Sequence, residues 1–344
     1  MNDYPYPYPW KELPGTAEEM AFLDARFAKM SVRERFLVEG ASQLESIETA
    51  ADLINLTEQL DSFTLYYGVK DDAALGKYIA EYHHQATPDQ LRFVDLNRWG
   101  LDIREKNGGV FVSGGYVERH YDCHDVYTGK NLEQITGGSA SVRIKAASGS
   151  HPAGLWIKLP DYEISTGEPD ELEVAMGELE ITKWSRAVLL EAECCLDNIT
   201  NLADQYESME ELIRAGNDLG YVLEEQGQGM PFFQERFEAA MELEGCTRLD
   251  EALDISQNLC CYDFIPSKPH WEKFGRDLVL KREDVHPSSP MGMYFDYTGY
   301  CKAEIEALNL QPCEDGYIAR NEKEFVREFS KESQEQGQIQ GQSL

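Results

Sequence analysis

Apolar residues recur at helical spacing behind three hydroxyl-x-x-glutamate signatures, Thr16-x-x-Glu19, Ser31-x-x-Glu34 and Ser208-x-x-Glu211. In such a capping box the hydroxyl accepts from an orphan N–H of the first turn, while the carboxylate reaches back to another. Met20, Leu23 and Phe27 follow the first signature as the apolar stripe of a packed helix. Between 110 and 120 the pattern changes to alternation broken by Gly114-Gly115, which predicts two strands and a hairpin turn. Segments 141–146 and 155–159 also read as extended, and the small, polar Ala146 to His151 (AASGSH) between them predicts a linker. Tyr4–Trp10 (YPYPYPW) favours polyproline geometry and a flexible or docking tail, and the Gln-rich stretch after Glu332 reads as disordered.

The pattern repeats at an offset of about 200 residues. Glu34-Arg35-Phe36 recurs as Glu235-Arg236-Phe237, and LTEQLDSFTLYY (56–67) as ISQNLCCYDFIP (255–266). Leu75-Gly76-Lys77 recurs as Phe274-Gly275-Arg276, Asp95 and Trp99 as Asp296 and Tyr300, and Gly115-Tyr116-Val117 as Gly316-Tyr317-Ile318. Each copy reads as a helix ending at Leu60 or Leu259, a short strand, a helix with Gly76 or Gly275, an aromatic-rich helix and a Gly-Tyr strand. Short helices and strands without alternating βαβ units predict an α+β class, an elongated string of small modules with an internal duplication. The expected divisions are a Tyr/Pro tail and first helix start (1–27), an N-terminal repeat copy (28–145), the linker (146–152), an acidic α/β module (153–228), a C-terminal repeat copy (229–330) and a disordered tail (331–344).

Charge sharpens this picture. The 344 residues hold 63 Asp and Glu against 31 Lys and Arg, a net of −32. Residues 1–150 are net −8 and residues 151–344 net −24, an asymmetry that solubility does not require. From Leu159 to Thr182 stand Asp161, Glu163, Glu168, Asp170, Glu171, Glu173, Glu178 and Glu180 with no Lys or Arg among them. Residues 191–225 add ten acids against the single base Arg214. Self-repulsion of this size disfavours the compact state. Direct nucleic-acid binding is disfavoured, because phosphates are gripped by Lys and Arg clusters and the chain has no basic run. Read as a strand, 171–180 would pair Glu171 with Glu173 and Glu178 with Glu180 on one face, Leu179 and Ile181 turned inward. Read as a helix, Asp204, Glu207 and Glu211, or Glu207 and Glu210, would continue the row.

Other chemistry is sparse. The eight cysteines include two adjacent pairs and no C-x-x-C, so reduced, small apolar residues are expected, with no metal and no cofactor. His120, Cys123 and His124 (HYDCH) offer metal-ligand types but lack a second ligand pair, and a polar hairpin edge is the expectation. His83 and His84 diverge on a helix and read as surface; Phe63, Tyr262, Phe264 and Phe295 read as core. No nucleophile elbow, phosphate-binding loop, dinucleotide fingerprint or H-E-x-x-H motif is present, and no enzyme is expected. Residues 1–15 lack an apolar targeting segment and no run approaches membrane-spanning length, so a cytoplasmic location is expected.

The repeated strings resemble ArdA-type antirestriction proteins. The residues that carry the resemblance are LDEALDISQNLCCYDFIP (249–266), FGRD (274–277), YFDYTGY (294–300) and EDGYIAR (314–320), with AADLINLTEQLDSFTLYYGV (50–69), LGKY (75–78), FVDLNRWG (93–100) and GGVFVSGGYV (108–117) in the first copy. The resemblance implies a DNA mimic: an elongated, homodimeric chain of small α/β modules that occupies the DNA groove of type I restriction–modification enzymes, at the methyltransferase and specificity core. The chain departs from the family in its doubled length and in a less acidic first copy, where Lys70, Lys77, Arg92 and Arg98 are poor phosphate mimics. The expected mimic surface is therefore Asp161, Glu163, Glu168, Asp170, Glu171, Glu173, Glu178, Glu180, Asp204, Glu207, Glu210, Glu211, Asp218, Glu224 and Glu225. Two other readings stand beside it: an acidic adaptor or regulator of a mobile element that binds another basic protein, and a hydrolase using a carboxylate pair such as Glu210/Glu211.

Overall fold

The computed structural model describes residues 9–135, 137–138, 140–161, 170–227 and 230–330, with only the backbone at Glu225 and Gln226. Most of the expected Tyr/Pro tail and all of 331–344 lie outside these residues. The chain divides into two compact units, 1–193 with 208–213, and 194–207 with 214–344. It is α+β: among the described residues, helices accompany three separate three-stranded sheets.

The first unit opens with helices α1 (Ala17–Ala28), α2 (Val32–Leu44) and α3 (Ala50–Thr57). Two of the three predicted capping boxes lie here and form, Thr16 with Glu19 and Ser31 with Glu34, and Thr49 with Asp52 adds an unpredicted one. Leu23, Phe27, Leu37, Leu53 and Ile54 are buried here, each stabilising the core by roughly 1.5–3 kcal/mol relative to exposure. Trp10, expected in the tail, belongs to this core: it is buried and stacks on Phe27 with ring centroids 5.8 Å apart.

Strand β1 (Phe63–Tyr67) is followed by α4 (Asp72–Tyr78), α5 (Pro88–Leu91), α6 (Leu96–Asn107), β2 (Val110–Phe111) and β3 (Gly115–Arg119). The sheet has the order β1-β3-β2 with antiparallel pairing, Leu65 opposite Val117 and Tyr66 opposite Tyr116. Its residues alternate between faces. Tyr66 and Tyr116 pack with Leu75 and Tyr78 of α4, while Val117 lies against Gly40 of α2. Helices α4 and α6 cross at Gly76 and Gly100, where a Cβ would sit 2.0 Å from the Leu96 carbonyl oxygen or 1.7 Å from that of Asp72.

A second sheet of the first unit has the order β5-β4-β6, from β4 (Val142–Ala147), β5 (Leu155–Leu159) and β6 (Val188–Cys194). The expected linker at 146–152 is corrected by this sheet. Val142 pairs with Leu159 and Ala146 with Leu155, so AASGSH turns a hairpin and the small, polar residues serve a bend. Helix α7 (Glu171–Glu178) packs on β5 and α2.

Helix α8 (Met209–Tyr221) leads to the second unit's α9 (Phe233–Glu244), α10 (Leu249–Gln257), β7 (Tyr262–Pro266), α11 (Trp271–Glu283), α12 (Tyr297–Ala307), β8 (Gln311–Cys313) and β9 (Gly316–Arg320). The sheet order is β7-β9-β8, with Ile265 opposite Tyr317 where the first sheet has Tyr66 opposite Tyr116. From α9 to β9 the elements follow the order from α2 to β3, apart from the short α5. Gly115 and Gly316 begin equivalent strands at φ +156°, and a Cβ on either would lie 2.2 or 2.3 Å from a carbonyl oxygen of the paired strand. Of the expected core aromatics Phe63, Tyr262 and Phe264 are buried; Phe295 is half-buried, and Tyr297 fills the interior. Among the described residues no helix is long and apolar enough to cross a membrane.

Candidate protein-interaction surface

Residues 171–178 of the first acidic run form helix α7 and not a strand. Asp170 caps α7, its carboxylate accepting the Glu173 N–H at 2.7 Å, and acids in the first turn suit the partial positive charge of a helix N-terminus. The pairs expected to share faces are therefore split, since residues two apart on a helix point in different directions. Glu173 and Glu180 are exposed, Asp170 and Glu178 half-buried, and Glu171 is buried. Leu179 turns inward as expected. The Tyr67 hydroxyl donates to Glu178 at 2.9 Å, and the Ser150 hydroxyl donates to Glu180 at 2.7 Å. Burial and the Glu178 carboxylate push the Tyr67 phenol up. Glu163 and Glu168 lie outside the described residues.

Glu171 is corrected outright as a surface group: it belongs to a buried ionic cluster. The Arg26 guanidinium holds Glu34 in a fork, with contacts of 2.8 and 3.2 Å, and Lys158 and Arg143 approach the same carboxylate at 3.7 and 3.9 Å. Burial alone would raise Glu34, but these three cations hold it far below the usual carboxylate range. Glu171 accepts the Lys158 N–H at 3.2 Å, and burial together with the nearby Glu34 charge pushes it up to about 7, against weaker support from Ser31 and Arg33. Asp161 is half-buried and accepts the Leu172 N–H at 2.9 Å; burial, aided by Asp170, raises it. These groups hold α7 against α2 and β5, and Glu34 and Glu171 are closed to a partner.

The second acidic run is open. The Ser208 hydroxyl accepts the Glu211 N–H at 3.2 Å and starts α8, which buries Leu212, Ile213, Ala215 and Leu219 and exposes Glu210 and Glu211. Asp204 and Glu207 are exposed but precede the helix, so the helical row expected through Asp204, Glu207 and Glu211 does not exist as such. Asp218 is half-buried and raised by burial against the pull of Arg214. Glu224 is exposed, and the Glu225 side chain lies outside the described residues. Glu191 and Asp197, counted in this run but left out of the expected surface, are exposed, as are Glu242 and Glu244, which sequence reasoning misses. Between 187 and 247, Arg214 is the one exposed base among the described residues.

The HYDCH string has a structural role that spacing alone does not reveal. Asn55 accepts the Val126 and Tyr127 N–H groups at 2.7 and 2.6 Å and donates to the Tyr127 carbonyl at 3.0 Å. Gln59, four residues on and just past the end of α3, brackets the His124 N–H and carbonyl in the same way. In the second unit Asp254 accepts from the N–H groups of Glu328, Phe329 and Ser330 at 2.6, 2.8 and 3.0 Å, and Asn258 brackets Val326. The segments after β3 and after β9 are thus each strapped to the end of a helix by two amide or carboxylate side chains four residues apart. Among the described residues no three His, Cys, Asp or Glu side chains converge to hold a metal, and all eight cysteines carry free thiols. His83 and His84 are exposed.

No protein-family model, curated protein or solved structure matches the chain.

Proposed function

We propose that the chain is a non-catalytic inhibitor, an acidic DNA mimic that occupies the DNA groove of a type I restriction–modification enzyme at its methyltransferase and specificity core, acting as a homodimer. The observation that carries this reading is that most acids between 187 and 247 are exposed in their respective units, with a single exposed cation there among the described residues. The resemblance of the repeated strings to ArdA-type proteins supports it. Duplex DNA offers one negative charge per roughly 1.7 Å of axis, and a cationic cleft built for it answers to any ordered array of carboxylates. In the second unit the mimic uses Asp197, Asp204, Glu207 and Glu224, and in the first Glu210 and Glu211 with Glu173 and Glu180. Displacement of a labelled duplex from the methyltransferase core, followed by fluorescence anisotropy, tests it. Displacement at low salt, weakening steeply as salt rises, is expected. Replacing Glu207, Glu210 and Glu211 with Gln should lower the salt slope by about one for each carboxylate that had met a cation of the cleft. Absence of displacement at low salt would refute the proposal. An abrupt loss of activity from one substitution would refute the collective-charge mechanism and favour chemistry at a carboxylate pair.

A further inference from the structure

In the second unit an open groove of about 920 Å³ is lined by α9, the start of β7, the end of α12 and the segment after β9. Arg236, Arg320 and Lys323 line it, against the carboxylates Asp263 and Glu322, so cations outnumber acids in a chain of net −32. Arg236 is the unusual member. Its Nη2 donates to the Tyr262 carbonyl and Nη1 lies 4.0 Å from Met230 Sδ, but Nε is buried with no hydrogen-bond partner. Burial weakens its hold on the proton, and Asp263 counters this only from beyond ion-pair distance. A buried donor left unpaired is a costly arrangement for a fold to retain.

The repeat supplies an internal control. Arg35 occupies the equivalent position in the first copy, and there Nε donates to the Met30 carbonyl at 3.3 Å and Nη2 to the Phe27 carbonyl at 2.6 Å. The same residue is thus supplied with acceptors in one copy and short of one in the other. Arg320 pairs with Glu244 at 3.0 Å and lies 4.5 Å over the Phe325 ring, while Lys323 is exposed and its ammonium forms no ion pair among the described residues. We propose that this groove binds a small oxyanion, a phosphate or carboxylate group, on the guanidinium fork of Arg236 with Lys323 as the second charge. A planar fork matches two oxygens of either group, and the volume is in the range of ligand sites.

The net charge gives this site a signature opposite to that of the acidic surface. An anion must approach against the field of the whole chain, so moderate salt should strengthen its binding by screening the repulsion, where displacement of DNA should weaken. The test is a titration of the full chain with inorganic phosphate, and separately with acetate, at ionic strength held constant with sodium chloride, reading the Arg236 Nε–Hε resonance. A saturable shift over the millimolar range is expected in at least one arm, and the stronger arm identifies the oxyanion class. Lys323→Gln, at an exposed position, should weaken that binding by about threefold or more through removal of one cation. Arg236→Lys should abolish the shift of the remaining groove resonances. A linear shift in both arms, or one reproduced by chloride alone, overturns the proposal. An unchanged Kd in the Lys323→Gln protein overturns the assignment to this groove. Neither outcome bears on whether the chain displaces DNA.

Discussion

Replacing Glu171 with Gln should make the protein more stable at alkaline pH and leave it almost unchanged at acid pH. Glu171 is held at about 7 in the folded chain against 4.5 as an ordinary side chain, because burial and the Glu34 charge both penalise its ionised form. Between those values the unfolded chain has released this proton and the folded chain retains it. Its contribution is therefore full below about 4.5 and lost as pH rises to 7. The interval corresponds to about 3 kcal/mol, an upper figure because water and side-chain movement relax buried charges. Gln preserves the neutral, hydrogen-bonding form and removes the titration. Urea denaturation followed by circular dichroism at pH 5, 6, 7 and 8 measures it, with the difference between variant and parent taken at each pH so that other groups cancel. The variant should gain up to about 3 kcal/mol by pH 8 and no more than about 1 kcal/mol at pH 5. Parallel profiles across the range would show that Glu171 does not carry the proton and would refute the reasoning.

Glu34→Gln should act in the opposite sense, because it leaves Arg26, Arg143 and Lys158 without their shared anion; a loss of about 3–5 kcal/mol at neutral pH is expected in the same urea assay. Gly100→Ala places a methyl 1.7 Å from the Asp72 carbonyl oxygen and should cost about 3 kcal/mol as α4 and α6 separate, measured by thermal or urea unfolding. Asn258→Ala removes both main-chain bonds to Val326, of 2.6 and 2.9 Å. It should cost about 2 kcal/mol and speed proteolysis within 322–330, mapped by mass spectrometry of the fragments.

Local features are legible because local physics decides them. Thr16 with Glu19 and Ser31 with Glu34 need no tertiary knowledge, and the Gly114-Gly115 turn declares itself by breaking an alternation. The reading of 171–180 as a strand fails because alternate carboxylates imitate a strand pattern, while the decisive residue, Asp170 as an N-cap, reads as one more surface acid. AASGSH looks like a joint between domains since small polar residues suit both a linker and a hairpin bend. Glu171 reads as a surface acid because its neighbours Arg26, Glu34, Arg143 and Lys158 come from four other elements, and nothing local foretells that convergence. Asn55 with Gln59, and Asp254 with Asn258, are visible as polar residues four apart at the C-terminal ends of apolar helices, a signal that spacing alone could have supplied.

The two straps are gripped by their backbones. Because Gln59 and Asn258 read only N–H and carbonyl groups, the bonds they make place no demand on the exposed side chains of the two segments; Tyr127, buried and donating to Glu19, Asn321, donating to the Cys260 carbonyl, and Phe325, packed on Tyr262, add the side-chain hold. The copies use that freedom differently, one presenting Tyr121 and Asp125 to solvent and the other Lys323, Arg327 and Glu328. A fixed rail with interchangeable fittings lets each module alter its outward character by mutation alone, leaving helix, sheet and fastening untouched.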